Sequence, residues 1–143
     1  MDLAAVPGLD LTFHHQGLAL KRGDKGALTF LSALGYTHGD EVYDPLQDVR
    51  VRMCTHATLP DVEIVQPGER PGPLDRWLKH NDEIVYHLCY ETSDREAALA
   101  ALDAVGLRVF ELVAPVPAVL FGGRRISFHR VYGFGVVELL DRG

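Results

Sequence analysis

Apolar positions along the chain change period in a fixed order, and that order occurs twice. His14 to Leu20 (HHQGLAL) reads as a strand, and Gly23 to Lys25 punctuates it. From Ala27 to Leu34 apolar residues recur at helical spacing, with Gly35 supplying the left-handed stop. Glu41 to Tyr43 predicts a short strand and Asp44-Pro45 a turn. Val49 to Met53 alternates strictly, as a half-buried strand does, and Val62 to Val65 completes the unit. Gln66 to Pro73 (QPGERPGP) holds three prolines and two glycines and cannot continue a ladder or a helix. It reads as a linker, followed by one or two helical turns over Leu74 to His80.

The second unit repeats the first. Ile84 to Tyr90 predicts a strand, Ser93 with Glu96 a capping box, and Ala97 to Val105 a helix stopped by Gly106. Leu107 to Val113, Arg125 to Phe128 and Val136 to Leu140 predict three further strands. Each half is therefore βαβββ, and neither half alone can bury both its helix and its sheet face. The expected fold class is α+β: two tandem modules in one cupped mixed sheet with a central cleft. A single domain spans about 12–143, with module 1 at about 12–67, a linker at 68–83 and module 2 at about 84–141.

Each half also offers one imidazole and one carboxylate at similar intervals. Glu63 follows His15 by 48 positions and Glu138 follows His87 by 51. Strand alternation puts Val62 and Ile64 opposite Glu63, Tyr86, Leu88 and Tyr90 opposite His87, and Val137 and Leu139 opposite Glu138. If those apolar faces pack under the helices, the four polar residues share the concave face. A carboxylate desolvated inside a Val/Ile/Leu strand costs several kcal/mol unless a cation or donors replace its water. A divalent ion would also relieve the repulsion between two such carboxylates, and an N2O2 set suits Zn, Ni, Co, Mn or Fe. The competing reading leaves both carboxylates in solvent at strand ends and the histidines satisfied by hydrogen bonds.

Composition narrows the class. A chain of 143 residues, 47% apolar and 24% charged, can bury one core without staples. Cys54 and Cys89 lie in apolar runs and read as reduced, buried thiols of a cytoplasmic protein. The first residues lack the pattern of a secretory leader, and no run approaches the roughly 20 apolar residues of a membrane span. A net charge of −6 argues against nucleic acid as a partner.

Read together, HQGLAL, EIVQP, RWLKHN, YHLCYE, GGRRISF and GVVELL resemble, in order and spacing, the vicinal oxygen chelate superfamily. The methylmalonyl-CoA epimerase and glyoxalase I branch is the nearest part of it. The resemblance implies metal ligation by His15, Glu63, His87 and Glu138. Epimerases of this type usually carry Gln where Glu63 stands, whereas glyoxalase I enzymes carry Glu. The epimerase pattern also places a general-base Glu where this chain has Val51.

The implied chemistry is α-proton abstraction with a metal-stabilised enolate, by an isomerase, an epimerase or a glyoxalase-like lyase. Lacking the third-strand Glu, the chain would use Glu138 as base and Glu63 as its counterpart. The substrate would be a small acyl compound, free or as a thioester on CoA or a carrier protein, and the protein a homodimer. The alternative is a small-molecule binding or resistance protein that uses the same cleft without catalysis. Secondary candidates for substrate contact are Arg50, Arg52, Cys89 and Arg125. Arg50 and Arg52 line the cleft with Cys54 if Val49, Val51 and Met53 face the helices, and a slip of one residue reverses this. His14 and His129 are expected near the cleft mouth, and Tyr86, Tyr90 and Phe121 as packing residues.

Overall fold

A computed structural model of the chain describes residues 3–143. Its strands are β1 (Thr12–Leu20), β2 (Thr37–His38), β3 (Val42–Asp44), β4 (Val49–Thr55), β5 (Asp61–Pro67), β6 (Glu83–Thr92), β7 (Val109–Pro117), β8 (Arg125–Val131) and β9 (Gly135–Asp141). Three helices accompany them: α1 (Lys25–Ala33), α2 (Asp75–Leu78) and α3 (Arg95–Ala104).

The strands form one curved, open sheet in the order β2-β4-β5-β1-β6-β9-β8-β7, with β3 paired to β4. β1 and β6 run antiparallel at its centre, β5 lies parallel to β1, and β9 parallel to β6. The sheet therefore repeats about its central pair, in agreement with the α+β repeat expected from the sequence. One difference concerns the second strand of the first unit. It is split into β2 and β3, which pair with opposite ends of β4, because Gly39 and Asp40 interrupt the ladder between them.

Local signals explain the helix limits. Gly35 and Gly106 have φ of +94° and +88°, and Tyr36 N and Leu107 N reach back to the carbonyls of Leu31 and Leu102. The expected Ser93/Glu96 capping box does not form. Asp94 is the residue that is extended just before α3, and its carboxylate accepts from Ala97 N at 3.0 Å. Ser93 instead donates through N and Oγ to Asp10.

Apolar residues pack on both faces of the sheet. Val62 and Ile64 join Leu20, Leu31 and Cys54 under α1, while Val137 and Leu139 join Val131 and Leu99 on the side of α3. On the concave face, Leu74, which precedes α2, and Leu78 of α2 close over Ala19, Val49, Val51 and Val65. Cys89, Ile126, Phe128, Val136 and Leu140 form the corresponding cluster of the second half. The linker helix thus becomes part of the wall of the cleft. No described helix is long and apolar enough to cross a membrane.

Candidate metal centre

The four central strands each deliver one polar side chain to the concave face: Glu63 from β5, His15 from β1, His87 from β6 and Glu138 from β9. All four are buried, with 0 to 6% of their surface exposed. One ligand atom from each lies within 4.8 Å of the others. Glu138 Oε1 is 3.1 Å from Nε2 of both His15 and His87, and Glu63 Oε1 is 3.5 Å from both. The two Nε2 atoms are 3.4 Å apart.

These separations suit a common centre. Ligand bonds of about 2.1 Å give ligand-to-ligand edges of about 3.0 Å in octahedral and about 3.4 Å in tetrahedral geometry. Glu138 Oε1 makes no hydrogen bond despite its two close imidazoles, so the groups converge on a point rather than pair off. A divalent ion there would satisfy it. Electrostatics within the group run the same way. Burial depresses the His15 imidazolium, but Glu138 and Glu63 outweigh it and carry its pKa up to about 9. Burial opposes ionisation of Glu138, yet His87 and His15 hold it far below the usual carboxylate range.

Register explains why the side chains fit. Across the sheet one row runs His15, Cys89, Glu138, and the next runs Glu63, Gly17, His87. The residue two places after each histidine therefore sits between the other half's histidine and its own half's glutamate. A Cβ on Gly17 would lie 2.1 Å from Cε1 of His87. The glycine is the recess that holds that imidazole. The sequence carried this signal as His-x-Gly and His-x-Cys, small residues at equivalent places in the repeat, but it becomes readable only once the register is known.

His14 has a role the sequence reading missed. Its Nδ1 lies 2.8 Å from Nδ1 of His15, leaving Nε2 of His15 free to face the centre, and Phe121 stacks on the His15 ring at 5.4 Å. Burial and the neighbouring His15 keep His14 neutral, so it can accept the Nδ1 proton of a ligating His15. His14→Ala is expected to weaken divalent-ion affinity by roughly 10- to 100-fold, as loss of an outer partner of a ligating histidine does. Competition against a chromogenic chelator would measure it. An unchanged affinity would remove His14 from this role.

Several secondary candidates lie elsewhere. Val49 and Val51 face the cleft, so Cys54 turns toward α1; Arg50 and Arg52 share that outer face, the outcome of the one-residue slip. Arg50 reaches only the Pro67 carbonyl, and Arg52 pairs with Asp24 at 3.3 Å and donates to the Gly39 carbonyl. Arg125 is paired with Asp141 away from the cavity. Cys89 is fully buried beside Glu138, and burial and that carboxylate push its thiol far up, leaving it inert. Tyr86 differs in the opposite sense. A register shift between Gly17 and Leu18 frees it from strict alternation, and it lines the cleft on the same side as His87.

His129 faces away from the cleft and pairs with Ser127 at 2.8 Å on the α3 side of β8. Burial lowers its pKa from 6.5, Glu111 of β7 opposes this, and Arg95 of α3 adds to it. The unfolded chain therefore takes up this proton first. Urea stability should fall as pH drops below 6.5, with His129→Asn flattening that part of the profile. An identical profile in the variant would show that His129 does not contribute.

The cleft itself is a cavity of about 210 Å³ lined by Glu63, Glu138, Tyr86, Trp77 and a largely apolar wall that includes Val51 and Phe128. The model of the glyoxalase/bleomycin resistance protein/dioxygenase superfamily matches residues 14–128. No curated protein sequence matches the chain. Among solved structures, methylmalonyl-CoA epimerase from Mycobacterium tuberculosis superposes with a TM-score of 0.76 at 18% identity, over 99% of this chain and 93% of that one. A variant of Streptomyces coelicolor methylmalonyl-CoA epimerase in complex with 2-nitronate-propionyl-CoA gives 0.72 at 23% identity, over 93% and 99%. A hypothetical protein from Bacillus halodurans gives 0.75 at 15%, over 93% and 95%. At these identities the likeness establishes the fold.

Proposed function

Since the chain belongs to the glyoxalase/bleomycin resistance protein/dioxygenase superfamily, we propose that it is a metal-dependent isomerase or epimerase, or a glyoxalase-like lyase, acting by α-proton transfer on a small acyl substrate. The observation that carries this reading is the convergence of four buried ligand atoms within 4.8 Å at an open cavity. His15, Glu63, His87 and Glu138 would hold the divalent ion, which when bound supplies the positive charge that stabilises an enolate oxygen.

The chain's own residues supply the rest. Val51 occupies the cleft wall and cannot take a proton. Of the carboxylates on the cavity, Asp44 is committed to Leu46 N, Gln47 N and the Gln47 side chain. That leaves Glu63 and Glu138. Glu138, kept ionised by the two imidazoles, is available to accept the α-proton; a carboxylate so held is a weak base, so transfer depends on the charge placed opposite it. Glu63 approaches from β5, on the other side of the central pair of strands; carrying a proton taken from water it could deliver that proton to the opposite face, with Glu138 afterwards releasing the α-proton to water. Burial, with Glu63 and Glu138 close by, keeps the Tyr86 phenol protonated, so it can donate a hydrogen bond to a substrate oxygen and does not serve as the base. Trp77, Phe121 and Phe128 keep the reacting centre from bulk water.

Acyl thioesters head the candidate substrates because the Streptomyces coelicolor relative is complexed with a propionyl-CoA analogue and another methylmalonyl-CoA epimerase of the same fold with methylmalonyl-CoA. The test is metal analysis of the purified protein, then incubation in D2O with 2-substituted acyl thioesters and α-keto hemithioacetals. Exchange of the α-proton is expected, and its loss in Glu138→Gln. Bound metal without exchange on any of these would point to a binding protein using the same cleft.

A further inference from the structure

We propose that Arg76, at the mouth of the cleft, binds an anionic oxygen group of the ligand, a carboxylate or a phosphate, outside the reacting centre. This rests on the cleft being the substrate site and adds a charge requirement to it. The observation is one of partners. Seven arginines are ion-paired to Asp or Glu, Arg50 meets the Pro67 carbonyl, and Arg108 and Arg130 lie over the Tyr132 ring at 4.7 Å. Among the arginines of the described residues Arg76 alone has no such partner, and it is the one Lys or Arg that lines the cavity.

Its place is fixed by packing. Leu74, just before α2, and Leu78 at its end flank it and are buried to 2% and 4% exposure, while Arg76 itself is exposed at the rim. The surrounding wall is largely apolar, the two glutamates are committed to the metal centre, and Asp44 is already hydrogen-bonded. A guanidinium is thus the charge left for a ligand to answer. Its planar fork matches both carboxylate and phosphate oxygens. The cavity volume of about 210 Å³ is below the roughly 300–1,000 Å³ of drug-sized sites, so a compact acyl head fills it and the remainder of a longer ligand passes the mouth.

The two sources of the anion, a distal carboxylate on the acyl group or a phosphate on its carrier, are separated by paired probes. The protein and Arg76→Met, each supplied with one equivalent of divalent ion, would be titrated calorimetrically with 2-oxoglutarate against 2-oxovalerate, and with coenzyme A against pantetheine. In the wild-type protein the member of at least one pair that carries the additional anionic group should bind about tenfold tighter, with Arg76→Met abolishing the difference and Arg76→Lys keeping part of it. A difference confined to the oxo acids identifies a carboxylate, and one confined to coenzyme A a phosphate. Equal affinities within both pairs, or a preference that survives in Arg76→Met, would overturn the proposal. Metal content read on the same samples separates the failures. Normal metal with no Arg76 effect refutes this inference alone, whereas absence of metal refutes the proposed reaction and leaves the charge comparison readable.

Discussion

Glu138→Ala is expected to leave the protein unable to retain a divalent ion through desalting, with affinity falling by more than the roughly 10- to 100-fold that loss of an outer partner costs. The reason is geometric. Glu138 Oε1 lies 3.1 Å from Nε2 of both His15 and His87, closer than Glu63; the residue is buried to 3% exposure and Oε1 makes no hydrogen bond. Removing it deletes one of four ligand atoms and half of the negative charge that offsets the ion. Glu138→Gln keeps the volume and removes only the charge, so its retention of metal would fall between wild type and the alanine variant. Elemental analysis with a circular-dichroism check of folding would read both. Full occupancy in a folded Glu138→Ala protein would end the four-ligand reading.

Gly17→Ala should remove metal binding without touching a ligand. The added methyl would stand 2.1 Å from Cε1, 2.4 Å from Nδ1 and 2.5 Å from Nε2 of His87, so the imidazole has to leave its recess or the strands have to part. The ring has little room to move: Tyr86 and Phe128 meet it at centroid distances of 4.5 and 5.2 Å, and it is 2% exposed. Overpacking of this kind costs about 1–3 kcal/mol. Denaturant unfolding and metal titration would measure the two effects. The double variant Gly17→Ala/His87→Ala should recover much of the stability and none of the metal binding, a coupling expected only if the clash is with this ring. A Gly17→Ala protein of wild-type stability that binds metal normally would show that the site does not depend on the recess.

The parts of the fold written in local chemistry were legible in the chain. Apolar periodicity located α1 and α3, Gly35 and Gly106 marked their ends, and the strict alternation of Val49 to Met53 marked β4. The same alternation set Val62 and Ile64 against Glu63, and Val137 and Leu139 against Glu138, as the packing under α1 and on the side of α3 shows. Where the reading failed, a neighbour decided. Alternation along β4 leaves two choices of face, and both arginines looked suited to a cleft. The valines face inward because Leu74, just before α2, and Leu78 of α2 cover that side with apolar surface. Tyr86 escaped because a register shift is a property of two strands and cannot be read from one.

The sequence by itself determined the repeat, the fold family and the four residues with the donor chemistry for a divalent ion, because period, turn chemistry and motif order are properties of the chain. Tertiary structure alone decided the separations of 3.1 to 3.5 Å, the backing of His15 by His14, the recess at Gly17 and, among the described residues, the lack of an ion pair at Arg76. Each of these depends on register between strands distant in sequence, or on a linker helix folding over the sheet. Such placements are set by the packing of many side chains at once, and no local pattern along the chain records them.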